Sequence, residues 1–101
     1  MASFGNKAIV PSHVLIRHLD GESVLLNLES ERYFGLDATG TRMLELLTSM
    51  PSVDSAYEKL LDEFEVEPAL LRDHLNELLQ SLTDNGLLSL LPTDAGSTPT
   101  L

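Results

Sequence analysis

The dipeptide Asp20-Gly21 stands between two apolar runs, Val14 to Leu19 and Ser23 to Leu28, and leaves them little choice of arrangement. Both residues tolerate the positive φ that a two-residue hairpin turn demands, so the runs pair antiparallel with no slack in the loop. The register follows: Leu19 faces Glu22, Arg17 faces Val24 and Leu15 faces Leu26. One sheet face then holds Leu15, Arg17, Leu19, Val24, Leu26 and Leu28, and the other holds Val14, Ile16, His18, Leu25 and Asn27. Both faces are substantially apolar, and the sequence leaves open which of them covers the rest of the chain.

After a polar turn at Glu29-Ser30-Glu31, Arg32 to Leu36 reads as a third strand that completes an antiparallel meander. The apolar period then changes from two to 3.6. Asp37 is placed to cap a first helix running to about Met50, with Met43, Leu44, Leu46 and Leu47 on its apolar side. Gly40 lies in its first turn, where it costs about 1 kcal/mol relative to Ala and permits close packing. Pro51 ends this helix and Ser52 caps the next. There Val53, Ala56, Tyr57, Leu60, Leu61 and Phe64 keep helical spacing without a miss. Pro68 suits the first position of a third helix, striped by Leu71, Leu75, Leu78, Leu79 and Leu82 and stopped by Asn85-Gly86.

The expected fold class is therefore α+β: a three-stranded antiparallel sheet followed by three helices, a winged helix-turn-helix-like set of pieces. Leu87 to Leu91 reads as a short apolar tail packing back on the core. Residues 1–12 read as a flexible N-terminal arm, 13–91 as the domain, and 92–101, rich in Pro, Thr, Gly and Ser, as a disordered tail.

The chain carries a formal net charge of −10. Such a surface repels phosphate backbones and removes the main driving term of nonspecific nucleic-acid binding. There are no cysteines, which excludes thiol catalysis, zinc-thiolate sites and iron–sulfur clusters. No apolar run approaches the roughly 20 residues of a membrane span, and no signal-peptide pattern opens the chain, so a cytoplasmic protein is expected. His13 and His18 point to opposite faces of one strand, and no metal, phosphate-loop or nucleophile motif occurs. The reading is of a protein without catalytic residues, metal or cofactor.

A meander has two edges. The first strand is guarded by Arg17 and His18, with Pro11 just before it, whereas the third carries Tyr33 and Phe34 with only Arg32 as guard. A short aromatic edge of this kind suits acceptance of an extended peptide as a fourth strand. The plainer alternative is that Tyr33 and Phe34 pack into the core.

The order of features resembles a known family. The series Asp20-Gly21-Glu22-Ser23-Val24-Leu25-Leu26-Asn27-Leu28, Arg32-Tyr33-Phe34-Gly35-Leu36-Asp37, Thr39-Gly40, Leu44-Glu45-Leu46-Leu47, Leu78-Leu79 and Gly86-Leu87-Leu88 is similar to that of the PqqD-like family, the RiPP recognition elements. The resemblance runs from about His13 to Leu91. It implies binding of the leader segment of a ribosomally made precursor peptide, by strand addition to the third strand beside the third helix. It also implies delivery of that precursor to a modifying enzyme: a radical SAM enzyme in pyrroloquinoline quinone biosynthesis, or a leader peptidase in lasso-peptide biosynthesis, with the lasso type preferred. Carried over by position, Arg32, Tyr33, Phe34 and Gly35 form the docking strand, and Leu71, Leu75 and Leu78 floor the cleft. His74 stands where family members often have an acidic residue.

Two other readings compete. A winged-helix DNA-binding domain uses the same pieces, but Arg72 is the only cation on the third helix, beside Asp73, Glu77 and Asp84. A dimerising structural module would use the spare apolar sheet face, so both monomer and homodimer stay open.

Overall fold

The computed structural model describes residues 6–92. In chain order the elements are β1 (Asn6–Ile9), β2 (Val14–Leu19), β3 (Glu22–Asn27), β4 (Arg32–Leu36), α1 (Ala38–Ser49), α2 (Val53–Glu63), α3 (Pro68–Asp84) and β5 (Ser89–Pro92). Strands β2, β3 and β4 form the expected antiparallel meander in that order. The Asp20-Gly21 turn has φ of 52° and 84°, and the pairs Leu19–Glu22, Arg17–Val24 and Leu15–Leu26 face each other as the loop length requires.

The structure decides between the two sheet faces. Ser23, Leu25, Asn27 and Leu36 are buried, and Val14, Ile16 and Phe34 pack against the core from the same side. The opposite face leaves Leu15, Leu19 and Tyr33 exposed. Two polar side chains thus enter the interior, and each finds partners there. Ser23 Oγ lies 2.7 Å from Thr41 Oγ1 on α1. The Asn27 amide donates to the carbonyls of Asn85 and Gly86, and its oxygen accepts from the Glu29 and Ser30 amides. Burial of a polar group costs little only when its bonds are remade in this way.

The helices begin and end where the local chemistry directs. Asp37 Oδ1 accepts from Gly40 N at 2.8 Å, and Ser52 Oγ accepts from Ser55 N at 3.1 Å. Gly86, at φ 69°, closes the C-terminus of α3, where Leu87 N reaches back to Leu82 O. Leu44, Leu47, Val53, Ala56, Leu60, Leu71, Leu75 and Leu82 form the centre of the core with Leu25 from the sheet. Across the outside of α1 and α2, Arg42 donates to Glu63 through both Nε and Nη2 and to Glu45 through Nη1. The hydrogen bond from Arg42 holds the Glu63 carboxyl below the usual carboxylate range.

One element departs from expectation. Within the stretch read as a flexible arm over residues 1–12, Asn6–Ile9 forms β1 and pairs antiparallel with β5, bringing Ile9 opposite Ser89 and Lys7 opposite Leu91. Residue 92, assigned to the tail, is the last of β5. The ribbon lies against α1 and α2, with Ala8 buried. Two four-residue strands are too short to hold alone; they persist because each supplies the other's backbone partners over a shared apolar surface. The rest of the expected arm and tail, residues 1–5 and 93–101, lies outside the described residues.

Candidate functional site

The open edge of the meander is β4, and the register shows which of its backbone groups are available. Leu28 N donates to His13 O, so Leu28 turns its backbone toward the β2 side and Asn27 toward β4. Antiparallel pairing alternates. Hence Arg32, Phe34 and Leu36, opposite Asn27, Leu25 and Ser23, spend their N–H and C=O groups on β3. Tyr33 and Gly35 direct theirs away from the sheet. Among the described residues no strand pairs with that side of β4.

Of these two, Gly35 borders a cleft of about 480 Å³. Gly35, Leu36 and Asp37 make its sheet wall, and Thr39, Gly40 and Met43 at the start of α1 make its base. His74, Glu77, Leu78 and Ser81 of α3 make the far wall. The four α3 residues are spaced i, i+3, i+4, i+7, which puts them on one helix face. The cleft mixes an apolar floor of Met43, Leu36 and Leu78 with the carboxylates of Asp37 and Glu77, and no Lys or Arg lines it. It therefore favours an apolar strand with neutral or basic polar positions over an acidic one.

The angle between β4 and α3 is held by a latch at the far end of the helix. Asn27, 5% exposed, ties the β3–β4 hairpin to the α3 cap, and His13 Nε2 shares the Gly86 carbonyl at 3.1 Å. A Cβ on Gly86 would stand 2.9 Å from Asn27 Nδ2, so this approach and the positive φ both require glycine. On the opposite side, Arg72 lies over the Tyr57 ring at 5.0 Å, and the Tyr57 hydroxyl donates to Pro68 O at 3.0 Å. The one cation of α3 is thus occupied in packing against α2 rather than presented for phosphate contact.

The residues singled out from sequence divide between the cleft and its surroundings. Gly35, His74 and Leu78 line it. Arg32 and Tyr33 are exposed on β4, Tyr33 at 76% and on the outer sheet face. Phe34 turns inward against the core. Leu71 and Leu75 are 2% and 0% exposed, so they support the cleft from within the core and offer it no surface. Sequence reasoning passed over Met43, Thr39, Glu77 and Ser81. The signal for the α3 pair was present in their helical spacing from His74, but a search for apolar residues selects the core stripe instead.

A family model described as coenzyme PQQ synthesis protein D (PqqD) matches residues 22–88. Among solved structures, "TbiB1 in Complex with the TbiA(beta) Leader Peptide" is 29% identical with a TM-score of 0.70, over 89% of this chain and 98% of that one. "Lasso peptide synthetase B1 complexed with the leader peptide" is 26% identical with a TM-score of 0.72, over 85% and 99%. A search of curated proteins finds no match.

Proposed function

The chain belongs to the PqqD family, and from that premise we propose that it binds the leader segment of a ribosomally synthesised precursor peptide as an added strand along β4. The observation that carries this reading is the outward-facing backbone of Tyr33 and Gly35 on the open edge of β4, with Gly35 at the rim of the cleft. Each backbone hydrogen bond gained there contributes about 0.5–1.5 kcal/mol net. Ordering a free leader costs several kcal/mol. The difference must come from apolar side chains of the leader set on Leu36, Met43 and Leu78, with alternate positions of the strand reaching the cleft.

The role is that of a carrier with no chemistry of its own: it presents the bound precursor to a modifying enzyme, a leader peptidase or a radical SAM enzyme. Two neighbours above 25% identity, both in complex with a leader peptide, support the peptide as ligand. One of them is a lasso peptide synthetase protein, which supports the lasso type over the pyrroloquinoline quinone type.

Titrating isotopically labelled protein with a synthetic leader peptide tests the reading. The expected result is amide shifts concentrated at residues 33–37 and 74–81, with the Tyr33 and Gly35 amides newly protected from hydrogen exchange. Shifts confined to the β1–β5 ribbon or to α2 would place binding elsewhere and overturn it.

A further inference from the structure

Four glycines lie among the described residues, and the fold accounts for three. Gly21 and Gly86 hold positive φ, and a Cβ on Gly40 would stand 3.2 Å from Leu36 Cδ2. Gly35 has neither reason. Its φ is outside the left-handed region, and a Cβ built on it meets no atom within 4 Å. A glycine inside a strand weakens it and packs against nothing; on stability alone this position favours a β-branched residue. A bare position on an open strand edge is what close approach by a second chain requires.

The surroundings say what kind of group would approach. Gly35 lies opposite Val24 and on the outer sheet face, where it borders a hollow of about 280 Å³ whose apolar lining is Leu19, Val24 and Leu36 and whose rim carries Glu22, Ser23 and Asp37. Gly35, Leu36 and Asp37 also border the α3 cleft, so the hollow and the cleft meet at the end of β4. Because the backbone of Gly35 points outward, the residue of an added strand directly across from it shares its side-chain face. That side chain falls on the outer face, and its two neighbours in the strand fall on the cleft side toward Leu78 and Met43.

Resting on the strand-addition reading, we propose that Gly35 is a specificity-determining position: it opens a seat over Val24 and Leu19 for one large apolar side chain of the docked peptide. Leu19 is 56% exposed, so such a side chain gains burial against carbon that is otherwise wet. A large residue across from an edge glycine also fills the gap the glycine leaves. The peptide is thereby read on both faces, one large apolar residue outside and its flanking residues inside the cleft.

The test uses a phage-displayed library of random peptides selected on the full chain, on Gly35→Val and on Gly35→Pro. Gly35→Val adds bulk where the folded protein has space, so its thermal midpoint is expected to equal or exceed that of the parent. Peptides selected on the parent are expected to share one large apolar residue within an alternating pattern. Gly35→Val is expected to weaken those peptides about tenfold or more, and to bind their versions with Ala at that residue within about twofold of the parent. Equal weakening of both peptide sets, or of neither, overturns the proposed seat. Gly35→Pro removes an edge N–H and is expected to lose all selected peptides; Tyr33→Pro serves if that variant does not fold. Selection of the same peptides with the same affinity on the parent and the proline variant, or of no peptide at all on the parent, overturns strand addition itself.

Discussion

Along α3, two stripes of residues lie side by side and differ in composition and burial. Leu71, Leu75, Leu79 and Leu82 have 5% exposure or less and fill the core. His74, Glu77, Leu78 and Ser81 follow the same helical spacing a fraction of a turn away and face the cleft. The first stripe is one residue type repeated; the second mixes an imidazole, a carboxylate, an aliphatic chain and a hydroxyl. A close-packed interior accepts only groups that need no solvent, whereas a recognition wall needs different groups at different places. Stability and binding are therefore expected to separate cleanly when the two stripes are changed in turn.

The largest effect is expected from Leu75→Ala on the core stripe. Leu75 is fully buried, and loss of its side chain together with the cavity left behind costs about 2–5 kcal/mol, read as a lowered denaturant midpoint. Asn27→Ala comes next. It strands the carbonyl of Asn85 and the amides of Glu29 and Ser30 and leaves the Gly86 carbonyl to His13 alone, at a cost of about 2 kcal/mol in chemical denaturation. Because Asn27 anchors the end of α3, this variant is also expected to broaden the amide signals along the cleft wall.

Leu78→Ser is expected to reverse the balance. Half-buried at the border of the stripes, Leu78 should cost about 1 kcal/mol of stability when changed and about tenfold in leader affinity by calorimetry. A variant that loses stability like Leu75→Ala while keeping affinity would show that the two stripes are one.

The smallest effect concerns Arg42 and Glu63, outside both stripes. The folded Glu63 pKa lies below its ordinary value. Its contribution is therefore complete above the ordinary carboxylate pKa and is lost as pH falls through the folded value. Arg42→Met is expected to flatten slightly the acid limb of a stability–pH curve, with less difference at high salt because the pair is solvent-facing.

Much of the fold was legible in the chain because it depends on neighbours in sequence. Asp20-Gly21 dictated a turn, and the turn dictated register across β2 and β3. Asp37 and Ser52 capped the helices they preceded, and Pro68 and Gly86 bounded α3. The candidate cleft was legible in part: Gly35, His74 and Leu78 were named from the sequence and line it, but Leu71 and Leu75 were drawn from the same leucine pattern and are buried in the core. Apolar periodicity marks the buried side of a helix and says nothing about the mixed side next to it. The β1–β5 ribbon was not legible, since Asn6–Ile9 is too short to announce a strand and its partner begins at Ser89.

Turn type, strand register, helix bounds and element order were thus written locally, through sterics, capping and period, and hold whatever the chain packs against. The inward face of the sheet was not. Both faces carried enough apolar residues to cover the helices, and the one turned inside includes Ser23 and Asn27. That choice became possible only when Thr41 on α1 and the carbonyls at the end of α3 came within reach of those two side chains. The same packing set α3 beside the free edge of β4, and so joined an open strand and a mixed helix face into one cleft.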